Sequence, residues 1–221
     1  MVQHQIPDKT LGNDNLGKLR INYSSLMMKI SYSISIVFII TLFLSCASAE
    51  AGRRPRTGTP EKQPKIAVAS LEKKVHARIN DERRKHNLKP MAWDEALAKI
   101  ARKHSQDMAK RNYFSHNSPE GHDFSYRYRA GNYSCGVKVG QIIYTGAENI
   151  YQNNLYDSVT VMNGKESFDW NSEDEIARTT VEGWMKSTGH RKNILTPHWG
   201  KEGIGISISS DGKVYITQNF C

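Results

Sequence analysis

No internal repeat runs through the 221-residue chain, and the only compositionally biased stretch is a short linker, so one folded domain behind a leader is its natural organisation. Nucleic-acid-binding motifs are also missing. Without one, the formal charge of +9 reports on solubility and on encounter with anionic surfaces, and no nucleic acid partner is expected. Setting residues 1–49 aside leaves 27 basic and 20 acidic side chains, so a net +7 belongs to the remainder. No Gly-x-Ser-x-Gly elbow occurs, which leaves Ser115, Ser118 and Ser187 without sequence support as nucleophiles. Cysteine is scarce, with only Cys46, Cys135 and Cys221, the first inside the leader region. Cleavage after Ala49 would leave an even pair, which in an exported domain points to a Cys135–Cys221 disulfide, two buried free thiols being the alternative.

Residues 31–49 carry no charge, follow Lys29 and hold a compact apolar core at 34–44. A basic flank, an apolar centre and the small residues Ala47-Ser48-Ala49 form the pattern of a secretory signal. The polar residues ahead of Met27-Met28 leave two readings: translation from one of those methionines, or a signal anchor retained as a transmembrane helix. A buried core helix is disfavoured, because no charged face is available for solvent. Residues 50–69 read as a flexible linker, and the folded domain is expected over 70–221.

Within that domain Ser70 is a candidate N-cap, with Leu71, Val75 and Ile79 at helical spacing up to about Lys85. Asp94 is placed to cap a second helix carrying Leu97, Ile100, Ala101 and Met108, ending near 110–112. Residues 113–139 show no sustained period and read as loop. A short strand is expected at 141–144 and a third helix at 173–186, capped by Asn171 or Ser172 and closed by Gly189. Two β-rich runs, 203–209 and 214–220, flank Ser210-Asp211-Gly212-Lys213, a hairpin signal. In the last run Val214, Ile216 and Gln218 share one face, while Tyr215, Thr217 and, after a terminal bend, Phe220 take the other. Helices first and a hairpin last indicate an α+β fold.

Four segments in this order carry a resemblance: Tyr113-Phe114-Ser115-His116-Asn117-Ser118-Pro119, Gly146-Ala147-Glu148-Asn149-Ile150, the stretch 184–195 with Gly189-His190-Arg191-Lys192-Asn193, and Tyr215-Ile216-Thr217-Gln218-Asn219-Phe220. Together they resemble the prokaryotic branch of the CAP superfamily, which includes cysteine-rich secretory proteins, wasp-venom antigens and plant pathogenesis-related proteins. The resemblance spans nearly all of 70–221 and implies an α-β-α sandwich, helices flanking a small mixed or antiparallel sheet. It also implies a central cleft of two histidines and two glutamates able to hold a divalent cation. His116, Glu148 and His190 match three of those positions, whereas Ser187 stands where eukaryotic relatives place the second glutamate. Glu182, two residues before Trp184, points to a different face of its helix.

Two neutral imidazoles and a carboxylate are a ligand set suited to zinc, with a position left for an acidic water. A hydrogen-bonded His-Glu-His network serving structure alone is the other reading. His104 lies on the apolar face of the second helix and reads as a core histidine bonded to backbone. Trp93, Trp184 and Trp199 read as core or groove wall. Three functions follow: a non-enzymatic extracytoplasmic module binding a lipid, peptide or anionic envelope polymer, a metal-dependent hydrolase using Glu148, or an envelope protein adhering through its basic surface. The 151–172 segment is longer than the resemblance calls for, and Val159, Val161 and Met162 are expected to add an edge strand or to cover the groove as a lid.

Overall fold

The computed structural model describes residues 62–221. The apolar core at 34–44, and with it the signal or anchor reading, lies outside the described residues. Among those described, no helix is long and apolar enough to cross a membrane.

Helix α1 (Val68–Lys85) buries Leu71, Val75 and Ile79, the predicted stripe. Its start differs from the expectation. Ala67, not Ser70, is the N-cap and offers no side-chain bond, so the cap comes from another helix. Glu173 accepts from the Ala67 N–H at 2.8 Å and from the Ser70 hydroxyl at 2.7 Å. Ile66 packs against the core as well, so the domain begins a few residues before 70. Helix α2 (Glu95–Arg111) is capped as predicted: Asp94 accepts from the Ala96 and Leu97 N–H groups, and Asn112 closes the helix in the left-handed conformation.

The stretch 113–139 is not all loop, for it contains helix α3 (Phe124–Ala130), N-capped by Asp123. Seven residues are under two helical turns, too few to show a period. Strands β2 (Val137–Val139) and β3 (Ile142–Tyr144) form a small hairpin. Strand β4 (Ala147–Asn154) leads to a second hairpin, β5 (Tyr156–Met162) and β6 (Lys165–Trp170). Helix α4 (Glu173–Lys186) starts at a capping box between Ser172 and Glu175. It closes at Ser187 rather than Gly189, because Ser187 adopts extended backbone and also begins helix α5 (Thr188–Ile194), which encloses Gly189. Strands β7 (Lys201–Ile208) and β8 (Lys213–Phe220) form the predicted closing hairpin.

The main sheet has strand order β1-β7-β8-β4, where β1 is Ala92–Trp93, parallel to β7, and the other pairs are antiparallel. The mixed sheet lies between α2 on one face and α1 with α4 on the other, the expected α-β-α sandwich in an α+β chain. Leu71, Val75, Ile79, Ile176, Trp184, Ile204, Ile216 and Phe220 form the larger core on the α1 face. Phe220 thus stays on the face of Val214 and Ile216: regular pairing runs to Phe220, so the expected terminal bend does not occur. On the α2 face Met108 packs with Ile150 and Tyr215. Cys135 and Cys221 are bridged, tying the end of the sheet to the segment before β2 across a sequence separation of 86. In the chain-entropy model such a loop closure contributes about 4–5 kcal/mol.

The segment after β4 neither extends the main sheet nor covers the groove. Hairpin β5–β6 is its own two-stranded sheet, held at its base by buried Leu155 and the rings of Tyr156, Phe168 and Trp170. Leu155 follows Glu148 by a strand's length, roughly 23 Å at the rise of an extended chain, while Val161 and Met162 at the tip are 64% and 70% exposed.

Helix α2 rests on β7 at two glycines. A Cβ on Gly203 would fall on the backbone of Leu97 and Ala98, and one on Gly205 on the backbone of Ala101 and Arg102. Backbone cannot rotate aside as a side chain does, so Gly205→Ala should destabilise by about 3 kcal/mol or more, the upper end of overpacking costs. Gly200→Ala, with open space around its Cβ, is the control and should shift urea unfolding little. Equal midpoints for the two variants would show that α2 does not sit on the strand this tightly.

Candidate functional site: a histidine cleft at the edge of the sheet

Strand β4 is an outer strand of the sheet, and the residues expected to line a cleft lie near its first residues. Gly146, at φ +110, turns the chain into β4 with the Tyr128 ring where a Cβ would be. Glu148, the second residue of β4, is almost wholly buried. Its carboxylate accepts from Arg127 Nη2 at 2.9 and 2.7 Å, one bond to each oxygen, and Oε1 lies 3.0 Å from His116 Nδ1. Burial opposes the charged form, but Arg127 and His116 outweigh it, and the carboxyl is held below its usual range. Arg127 also donates to the carbonyls of His116 and His122, so one guanidinium from α3 fixes both the buried charge and the loop that carries His116.

His104, from α2, lies behind this pair. Its Nε2 is 3.1 Å from the Ser115 carbonyl and 4.0 Å from Glu148 Oε1, which makes Nε2 the protonated nitrogen. The core-histidine reading is thus met, with the addition that His104 borders the cleft. Burial pushes its pKa down. Beside it, a depression of about 240 Å³ is lined by residues that include Arg127, Arg111, Glu120 and the stacked pair His122 and Tyr126.

His190 comes from the other layer, on α5. Its ring centroid is 6.5 Å from that of His116. Burial, with a smaller contribution from His116, pushes its pKa down to about 4, so the imidazole is neutral at pH 7. The backbone around it is held by amides: Asn149 Nδ2 donates to the His190 carbonyl, and Asn193 Nδ2 donates to the Glu148 carbonyl and to Asn149 Oδ1. Ser187 stands between α4 and α5 as their shared cap, and Glu182 pairs with Arg178 on the exposed side of α4, away from the cleft.

The structure therefore brings His116 and Glu148 into contact and sets His190 nearby, while Ser187 serves the backbone. Among the described residues no three His, Cys, Asp or Glu side chains are grouped to hold a metal ion. The chemistry of the donors gives the reason. Glu148 already accepts from Arg127 and His116, whereas hydrogen bonding through Nδ1 leaves His116 Nε2 with its lone pair turned from the carboxylate. What the structure brings together is two imidazoles with centroids 6.5 Å apart and a carboxylate bonded to one of them. Sequence reasoning missed Arg127, Asn149, Asn193 and Gln218. The last three stand inside the four segments that carry the resemblance, where nothing local marks them as parts of a network.

The sequence profile of the Cysteine-rich secretory protein family (CAP) matches residues 76–220. The Bacillus subtilis protein YkwD is 35% identical over 172 residues, covering 78% of this chain and 55% of that protein. The Bacillus subtilis membrane protein YlbC is 30% identical over 167 residues, covering 76% of this chain and 38% of its own. The chain thus spans about half or less of the length of these curated relatives. Among solved structures, an extracellular protein containing a SCP domain from Bacillus anthracis is 28% identical with a TM-score of 0.50, over 72% of this chain and 44% of that one.

The His190 shift has a measurable consequence. A histidine whose folded pKa lies below its unfolded value binds more protons when unfolded, so stability falls as pH drops from about 6.5 through the folded value near 4. The shift corresponds to at most about 3 kcal/mol, and His190→Gln should remove that part of the acid-side slope. Proton NMR of the His190 ring should give a midpoint near 4. A midpoint at the ordinary histidine value would mean that the ring is solvated and the cleft open.

Proposed function

The chain belongs to the CAP family in its bacterial form, and from that premise we propose that it is an extracytoplasmic, non-enzymatic module binding an envelope component in the cleft between His116 and His190. The observation that carries this reading is the state of Glu148. A buried carboxylate bonded through both oxygens to a half-buried guanidinium, with its pKa held down, is a poor general base. Ser187, in the remaining position of the cleft, provides no second acid.

Charge compensation makes the floor of the cleft neutral, Glu148 against Arg127 with His190 uncharged. Exposed Lys186, Arg191 and Lys192 lie within four residues of His190 in sequence, on α4 and α5. A neutral hydrogen-bonding floor within a basic rim suits an anionic polymer or a lipid headgroup. A peptide added as a strand along β4 suits it less, because Asn193 Nδ2 and Trp184 Nε1 already occupy the outward carbonyls of Glu148 and Ile150. The apolar core at 34–44, the Cys135–Cys221 bridge and the likeness to an extracellular protein support placement outside the cytoplasm, with the N-terminal segment as a membrane partner.

A second reading, a divalent-metal-dependent hydrolase, is favoured by the outward lone pair of His116 Nε2 beside His190. A bound zinc would be held by these two imidazoles and would supply Lewis acidity to a ligand oxygen or water. The chain's own part would be to orient His116 through Glu148 and to keep His190 unprotonated.

Co-sedimentation with purified cell-wall polymer and with anionic-lipid vesicles, at about 50 and 500 mM salt, separates these readings. Changing both His116 and His190 to Ala should weaken binding at both salts, whereas changing Arg191 and Lys192 should weaken it only at low salt. Binding indifferent to the histidines and lost entirely at high salt would leave only adhesion through the basic surface. Zinc-dependent hydrolysis of either material, abolished by His116→Ala, would replace the binding reading with the enzymatic one.

A further inference from the structure

Behind the cleft, on the α1 face of the sheet, four polar side chains run across neighbouring strands. Glu202 on β7 and Gln218 on β8 are fully buried, as is Asn149 on β4, and His76 on α1 closes the far end. Each link is short. His76 Nδ1 is 2.6 Å from Glu202 Oε1, Gln218 Nε2 donates to Glu202 Oε2 at 2.6 Å, and Asn149 Nδ2 donates to Gln218 Oε1 at 3.0 Å.

Both ends of this chain have a fixed polarity. Asn80 accepts from the Met91 N–H through Oδ1 and donates to the Met91 carbonyl through Nδ2, so it cannot turn over. Its Nδ2 also faces His76 Nε2, which must therefore accept, leaving Nδ1 as the N–H. At the cleft end, Asn149 Nδ2 faces the His190 carbonyl and Asn193 Nδ2 faces the Glu148 carbonyl, groups that can only accept. Gln218 must then present its oxygen to Asn149 and its NH2 to residue 202. Residue 202 receives donors from both sides. Among side chains of this shape, only a carboxylate has two acceptors and no donor.

We propose that Glu202 is a positioning residue of the cleft: its carboxylate sets the direction of the hydrogen bonds through Gln218 and Asn149 that hold the His190 and Glu148 carbonyls, about 10 Å away across two strand spacings. A glutamine at 202 keeps the shape but brings one donor against another. The mismatch resolves only at His76 or by turning over Gln218, Asn149 and Asn193 in succession, which removes the donors from the two cleft carbonyls. The assignment holds whichever ligand the cleft takes, so it stands apart from the function proposed above.

The test is a polarity exchange. Glu202→Gln should shift the side-chain amide resonances of Asn149 and Asn193 and the carbonyl carbon shift of His190, whereas exchange of the two residues, Glu202→Gln with Gln218→Glu, should return the Asn193 and His190 signals to wild-type positions, Asn149 alone keeping an offset from its charged acceptor. In the exchanged pair the amide at position 202 accepts from His76 and donates to the carboxylate at position 218, which accepts from Asn149 as the wild-type side chain did. A packing role alone predicts the opposite order, two buried substitutions disturbing more than one. Unchanged amide resonances in Glu202→Gln, or no recovery in the exchanged pair, overturns the assignment. If the single variant does not fold, the exchanged pair decides: wild-type Asn193 and His190 resonances sustain the assignment, and failure to fold or alteration of those two overturns it.

Discussion

The contact on which the rest of the domain depends is the backbone-to-backbone approach of α2 to β7 at Gly203 and Gly205. With no Cβ on the strand at these positions, the helix settles close enough for Ser105 Oγ to donate to the Gly205 carbonyl and to meet Thr217 Oγ1. That depth sets His104 beside Glu148 and brings the loop after α2, with His116, to the edge of β4. The opposite layer needs no such approach, because large apolar side chains and the buried polar row from His76 to Asn149 fill it. The two faces of one sheet are thus built on different principles, and the cleft lies where they meet at an edge.

Electrostatics inside the domain are local and compensated, while those outside are general. Glu148 and Arg127 neutralise one another in a buried setting, where removing either would leave an uncompensated charge at a cost of about 3–5 kcal/mol. The surplus of basic side chains sits on surfaces open to solvent, where salt screens it. The two therefore act over different ranges: the surplus sets a general field in solvent, and the Glu148–Arg127 pair acts only on the groups around it.

Much of the fold was legible in the sequence because its helices obey simple local rules. Asp94 and Ser172 cap as written, and the stripe of Leu71, Val75 and Ile79 faces the core. The failures have physical causes. Ser70 lost its capping role because Glu173, more than a hundred residues away, does the task, and no local pattern contains that contact. α3 was too short to show a period, and Arg127 was lost with it. His116, Glu148 and His190 were found through resemblance, and the structure changes their relation. Glu148 is turned toward Arg127, which sits in the stretch read as loop. Val161 and Met162 show the reverse failure, apolar residues in a β pattern that nonetheless reach no core.

Arg83 on α1 is fully buried, and its guanidinium donates to the carbonyls of Lys89, Ile194, Thr196 and Trp199. Three of these acceptors lie 111, 113 and 116 residues further along the chain. Glu72 on the same helix reaches the Ile206 N–H. As the polypeptide grows from its N-terminus, α1 therefore carries a guanidinium most of whose acceptors are made much later, while Glu72 finds its charge partner sooner, in Arg102 of α2. Closure of the domain around α1 is thus tied to residues 194–206, more than a hundred positions further along the chain.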